Sequence, residues 1–306
     1  MRLLLAAALC ASLAAGQAPK RPRITGLAHV ALYVQNIEKA RWFYKDFLGF
    51  GEPFLLNNPD GSLSLTFIKV NDRQYIELFP EREPGTDRLF HISIAVDDAE
   101  AMRAYLAAHG AQAPDKVGKG RIRNSNFNVK DPDGHTVEIV QYEPDGWSMR
   151  EKGKHMSDDR ISTRLLHAGI LVGALEPARK FYGELLGFRE TWRGSRSGKT
   201  LDWVNMAVPD GEDYIELMLY SELPPANARG VAHHIALEVP DMAKAVAALE
   251  ARPARKAYSR SLEVRTGTNR KRQLNLYDPD GTRIELMEPR TVDGVPAPSS
   301  TAPPPR

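Results

Sequence analysis

His29-Val-Ala-Leu-Tyr-Val34 and, shortly after it, Ala40-Arg-Trp-Phe-Tyr-Lys-Asp-Phe-Leu-Gly-Phe50 decide the fold, because both return further along the chain. They recur as His167-Ala-Gly-Ile-Leu-Val172 and Ala178-Arg-Lys-Phe-Tyr-Gly-Glu-Leu-Leu-Gly-Phe188. The offset is 138 residues from His29 to His167 and again from Phe50 to Phe188. A gap-free repeat of that length is a duplicated structural unit. A second pair lies downstream. His91-Ile-Ser-Ile-Ala-Val96 matches His234-Ile-Ala-Leu-Glu-Val239 at an offset of 143. Asp131-Pro-Asp-Gly-His-Thr-Val-Glu138 matches Asp278-Pro-Asp-Gly-Thr-Arg-Ile-Glu285 at 147, so the second copy has gained a few residues between these blocks.

Each unit opens with a short alternating strand and continues into a helix. In the first, Ala40, Phe43, Tyr44, Phe47 and Leu48 fall on one helical stripe, with Gly49 as the stop; Ala178, Phe181, Tyr182, Leu185 and Leu186 repeat the stripe before Gly187. β-rich runs follow, and in the second and fourth units Asp-Pro-Asp-Gly supplies the turn between the last two strands. The reading is an α+β chain of four βαβββ modules. Residues 144–162 form a polar linker between halves, and the Pro- and Ser-rich residues 291–306 are expected to be disordered.

Side chains alternate faces along a strand. In the first strand Ala28, Val30, Leu32 and Val34 share the face that meets the helix, which leaves His29 on the other. By the same test His91, His167 and His234 oppose their apolar neighbours, whereas His233 points into the packed side. The last strand of each module carries one acid among apolar residues: Glu77, Glu138, Glu216 and Glu285. A carboxylate in an apolar strand is costly without a cation or a hydrogen-bond partner. Four of them, each matched to a strand-one histidine, make nitrogen/oxygen sites suited to a divalent ion: Zn, Ni, Co, Mn or Fe. His109, His135, His155 and His233 are read as solvated or packing residues. The basic run from Arg252 to Arg272 is read as a solvated loop, or as a clamp for an anionic substrate group.

The run from His29 through Phe43-Tyr44 to Leu48-Gly49-Phe50, with His91-Ile-Ser-Ile-Ala-Val96 and the Asp-Pro-Asp-Gly…Glu138 block, resembles the vicinal oxygen chelate superfamily of glyoxalase I, bleomycin resistance proteins and extradiol dioxygenases. The resemblance covers residues 24–143 and 163–290 and implies two domains, each a pair of modules closed into a cup with a metal on its floor. It implies His29, Glu77, His91 and Glu138 as one ligand set and His167, Glu216, His234 and Glu285 as a second. Chelation of a small substrate through neighbouring oxygens is then the shared chemistry, with Glu138 and Glu285 as proton-moving bases assisted by Glu77 and Glu216. A glyoxalase-like lyase or isomerase is the primary expectation. An Fe(II) extradiol dioxygenase would use His167, His234 and Glu285, and Glu216 would then crowd an open position. A metal-free binding protein of the bleomycin-resistance type is the third alternative.

Among 306 residues, 41 basic and 39 acidic side chains nearly balance, and nothing points to nucleic acid. Arg2, the apolar residues 3–15 and Ala14-Ala15-Gly16 read as a secretory signal over residues 1–16, so the protein is expected to be exported. That stretch is too short to span a bilayer, which takes about 20 residues. Cys10, the single cysteine, falls inside it; a processed chain would have no thiolate ligand, nucleophile or intramolecular disulfide. Four modules suffice for a monomer, and exchange of modules in a homodimer is the alternative.

Overall fold

The computed structural model describes residues 19–305, so the expected signal segment lies outside the described residues. Sixteen strands form two eight-stranded sheets with one plan. The first contains β1 (Ile24–Val34), β2 (Gly51–Asn57), β3 (Leu63–Asn71), β4 (Gln74–Pro80), β5 (Leu89–Val96), β6 (Gly118–Lys119), β7 (Ser125–Lys130) and β8 (Thr136–Gln141), in the order 2-3-4-1-5-8-7-6. The second contains β9 (Leu165–Val172), β10 (Arg189–Gly194), β11 (Trp203–Ala207), β12 (Tyr214–Leu219), β13 (His234–Glu238), β14 (Val264–Thr266), β15 (Lys271–Tyr277) and β16 (Arg283–Thr291), in the order 10-11-12-9-13-16-15-14. Each module contributes half a sheet, and the halves join antiparallel through their first strands, β1 with β5 and β9 with β13. Each first strand also pairs in parallel with its module's last strand. The modules therefore pair within each half of one chain.

Alternation predicts the core except near the start of β1 and of β9, where Leu165 rather than Leu166 joins the main core. A register shift between Leu27 and His29 places Leu27, rather than Ala28, in the main core with Val30, Leu32 and Val34. Ala28 joins Ala95 and Val140 in a separate cluster. A bulge inserts one residue and changes the phase of the strand, which strict period-two reading cannot register.

The first helix of each half widens at its end. Leu48 N–H donates to Phe43 O at 2.9 Å and Leu186 N–H to Phe181 O at 3.0 Å, both five residues back. Gly49 and Gly187 then take φ of 82° and 77°, the left-handed turn that glycine adopts without a Cβ clash. Phe43, Tyr44 and Phe47 are fully buried, worth about 1.5–3 kcal/mol each on the area scale.

These helices lock the halves together reciprocally. Tyr44 Oη donates to Asp278 at 3.1 Å, and Tyr182 Oη donates to Asp131 at 2.9 Å. The same Asp-Pro-Asp-Gly turns receive Gln35 N–H at Asp280 and Gly173 N–H at Asp133. Each half thus inserts a helix tyrosine into the other half's turn. The two latches differ in one neighbour: Asp131 also meets His135 Nδ1 at 2.8 Å, whereas Thr282 occupies the corresponding place beside Asp278.

The tail beyond Thr291 has no helix or strand, yet the expected disorder is not observed. Ser300 N–H donates to Arg193 O, Leu201 N–H to Pro303 O, and Trp192 Nε1 to Pro298 O, with Ala302 buried. The segment runs along β10, the outermost strand of its sheet, where it meets polar groups that would otherwise be unpaired. Composition alone does not reveal a sheet edge waiting for a partner.

Burial pushes the Asp278 carboxyl up to about 7, against the Thr282 N–H that it accepts and with the charge of Asp280 adding to the rise. The folded value lies above the unfolded one of about 3.9, so its stabilising contribution is greatest below that value and is lost as pH rises toward 7. The stability of the wild-type protein relative to Asp278→Asn should therefore decline between about pH 4 and 7. Urea unfolding of both proteins across that range checks this; a pH-independent difference would show that the carboxyl ionises alike in folded and unfolded chains.

Candidate metal centres

Where β1 and β5 meet, each flanked by a parallel partner, four side chains converge on one point of the concave face. His29 Nε2 and His91 Nε2 lie 2.9 Å apart. Glu138 Oε2 is 3.3 Å from the first and 3.0 Å from the second. Glu77 spans the pair, with Oε1 at 3.6 Å from His29 and Oε2 at 3.9 Å from His91. All four are buried. The second half repeats the arrangement. His167 Nε2 and His234 Nε2 are 2.9 Å apart, Glu285 Oε2 is 3.6 and 3.5 Å from them, and Glu216 Oε2 is 3.4 Å from His234. All eight residues read from the sequence fall into these two clusters, and each cluster is complete within one chain.

The donor chemistry fits a divalent cation. Bonds of about 2.1 Å to one ion place neighbouring donors about 3 Å apart, close to these separations. Two carboxylates and two neutral imidazoles balance a dication in a buried site, whereas two imidazole nitrogens facing each other cannot both be donors. The electrostatics are divided: burial alone would lower His29 and His234, but the adjoining glutamates raise both. Burial would raise the Glu138 carboxyl, but His29 and His91 outweigh it and hold the group well below the usual range. Burial dominates at Glu77, which is raised despite the same histidines. Burial lowers His167 to about 4, favouring the neutral, ligand-competent imidazole.

The surroundings separate the two centres. Asn126 Nδ2 donates to Glu138 Oε1 at 2.9 Å, which fixes the carboxylate and turns Oε2 toward the histidines. Glu285 has no such amide among the described residues. His234 Nδ1 lies 2.9 Å from Ala232 O and 2.6 Å from an Arg283 nitrogen, and can donate to the first or accept from the second, but not both. Its ring leans over Gly169, where a methyl group would overlap it. Tyr214 stacks on His167 with centroids 4.5 Å apart. Sequence reading missed Asn126, Gly169 and Arg283. Asn126 had a signal, since it alternates with the core residues Phe127 and Val129 on β7.

The first cup encloses about 160 Å³ and is walled by Leu56, Leu65, Phe67, Tyr75, Phe79 and Tyr142, with the quartet at its floor. The other histidines stay away from both floors: His109 bonds Tyr105 O, His135 meets Asp131, His155 meets Glu151, and His233 meets Asp87. Most of the basic run is engaged away from the quartets. Arg252 binds Phe47 O, Arg255 pairs with Glu250, Arg260 lies over Tyr277 and Arg270 pairs with Asp293; only Arg265 and Lys271 reach cavities beside the second quartet.

A duplicated cup of paired βαβββ modules, with a His/Glu quartet on each floor, defines the vicinal oxygen chelate class. The profile of the Glyoxalase/Bleomycin resistance protein/Dioxygenase superfamily matches residues 26–139 and 164–286, and the chain belongs to that superfamily. It is 29% identical over 153 residues to 3-methylcatechol 2,3-dioxygenase of Pseudomonas putida; the match spans 45% of this chain and 48%, about half, of that protein. Lactoylglutathione lyase of Neisseria meningitidis is 28% identical over 123 residues, 38% of this chain and 89% of its own. The Mn(II)-bound glyoxalase from Novosphingobium aromaticivorans has the same fold, with a TM-score of 0.68 at 17% identity over 93% of this chain and 89% of that one.

Two substitutions test the centres separately. Gly169→Ala displaces the His234 ring and should remove one metal equivalent, leaving the first site loaded. Asn126→Ala frees the Glu138 carboxylate and should weaken divalent-ion affinity at the first site by about 10- to 100-fold. Metal titration with elemental analysis reads both, and unchanged binding in either variant would deny the residue its assigned part.

Proposed function

We propose that the protein is a divalent-metal-dependent, glyoxalase-like lyase or isomerase acting on a small substrate that chelates through vicinal oxygens, with the first cup as its principal centre. The observation that carries this reading is the four-donor floor at His29, Glu77, His91 and Glu138 inside an apolar cup. A bound divalent ion would supply Lewis-acid stabilisation of charge developing on the substrate oxygens. The walls exclude water and orient an apolar body, while Asn126 steadies Glu138. Glu138, ionised beside the two histidines, takes a proton from the carbon next to the chelating oxygens and returns it to the neighbouring carbon. Glu77 completes the donor set and assists.

The cup volume limits the substrate. At about 160 Å³ it lies below the roughly 300–1,000 Å³ of pockets for drug-sized ligands. Its rim arginine, Arg121, is already held by Ser64 and Asn57. A small aromatic or hydroxy-carbonyl compound suits this space better than a charged tripeptide adduct. Export through residues 1–16 is part of the same proposal, since it removes the protein from a mainly cytosolic thiol cofactor.

Ring cleavage with Fe(II) is the second reading, supported by the partial match to 3-methylcatechol 2,3-dioxygenase. Against it, Glu216 adds a fourth donor 3.4 Å from His234, where a facial triad leaves positions open. A metal-free binder has no use for four buried glutamates.

Metal content of the purified protein, with His91→Ala and Glu138→Gln variants, decides among these readings. Retained Ni, Zn, Mn or Co, lost at one site in His91→Ala, is expected. Isomerase turnover on hydroxy-carbonyl substrates should fall at least 100-fold in Glu138→Gln, since general-base catalysis contributes about 10²–10⁴-fold. Bound iron with oxygen uptake on catechols would transfer the assignment to the dioxygenase, and failure to bind any divalent ion would leave a binding protein.

A further inference from the structure

The two floors match, but the walls above them do not. In the first sheet Phe67 stands across from Glu77 and Thr136 across from His91. In the second, Asn205 stands across from Glu216 and Arg283 across from His234. Asn275 faces Glu285 from the other flank, as Asn128 faces Glu138 in the first sheet. Two cavities of about 450 and 460 Å³ open here, with Trp192 and Asn269 lining both. The first of these adds Arg196 and Arg265 to the side chains around Glu216 and Glu285.

Several polar atoms in this second cup are shut away from solvent without a protein partner: Arg283 Nε, Asn205 Oδ1 and Asn275 Oδ1. A buried polar atom left unpaired costs about 1–3 kcal/mol, so such a cluster marks a place where a ligand supplies the missing partner. Arg283 is a half-buried cation whose charge reaches Glu285 without direct contact. Among the described residues its guanidinium meets His234 Nδ1 at 2.6 Å and pairs directly with no carboxylate. Arg265 lines the rim of the same cavity, where it pairs with exposed Glu263 at 3.0 Å. A guanidinium pairs most strongly with a planar carboxylate.

We propose that the second cup binds a small oxygen-rich anion, a carboxylate carried on a ring or chain that also bears vicinal oxygens, with Arg283 as its carboxylate partner and Asn205 and Asn275 beside the chelating oxygens. The chelating half of this assignment rests on the metal reading of the floor; the carboxylate half rests on Arg283 alone. The two cups then select by charge: an uncharged ligand in the first, an anionic one in the second.

The test uses a matched pair of probes, 3,4-dihydroxybenzoate and its uncharged amide 3,4-dihydroxybenzamide, titrated calorimetrically into the metal-loaded protein. The benzoate should bind at least 10-fold more tightly. That preference should survive in His91→Ala, which disables only the first floor, and should shrink to within about threefold in Arg283→Gln. Arg265→Gln, at the exposed rim, should reduce the preference by about threefold and covers the case in which Arg283→Gln fails to fold. Equal affinity for the two probes, or a preference untouched by both arginine variants, would overturn the proposal. Repeating the titration after metal removal separates the two premises: a benzoate preference that persists without metal upholds Arg283 even if the metal reading fails.

Discussion

Two carboxylates and two imidazoles held at one buried point are the constraint around which each half is organised. Placing them there requires two strands to meet antiparallel while each keeps a parallel partner, because every donor comes from a different strand. β1 and β5 bring the histidines together, and β4 and β8 deliver the glutamates from either side. The low dielectric that makes the cluster expensive also makes it a strong trap for a dication. The rest of the sheet, with the helices on its far face, keeps those four strands in register.

The two halves are held by the same segments that define the modules. Each Asp-Pro-Asp-Gly turn leads into the strand that carries Glu138 or Glu285, and each also receives a tyrosine from the opposite half. A shift at this interface would therefore reach the strand that carries Glu138 or Glu285. The helix ends are widened by one residue where those tyrosines sit, a local departure that fits a position fixed by both the core and a distant carboxylate.

Much of this was legible because its signals are local. The duplication, the alternation that exposes His29, His91, His167 and His234, and the acid in each last strand can be read along a short window. What escaped depends on contacts between distant segments. The bulge at Leu27–His29 exists only in register with β5, so Ala28 was assigned to the wrong face. The tail is ordered by the free edge of β10, which no composition reveals. Arg283 occupies a position where sequence shows only an ordinary strand residue before Ile284 and Glu285. Its meaning appears once His234 lies across from it.

Divergence between the cups follows from how little the floor demands of the walls. A donor quartet fixes eight residues in the duplicated chain and says nothing about the side chains across from them. One cup has Phe67 and Thr136 above its floor, while the other has Asn205 and Arg283 at the same places. Asn126 anchors Glu138, whereas Gln273, at the corresponding place on β15, bonds toward Asn269 at 3.4 Å and leaves Glu285 unsupported. Less support for the glutamate goes with more charge at the wall. Such a trade suits a centre whose ligand arrives with its own anchoring group, because a carboxylate held by a guanidinium supplies the orientation that the first cup obtains from its fixed glutamate and apolar walls.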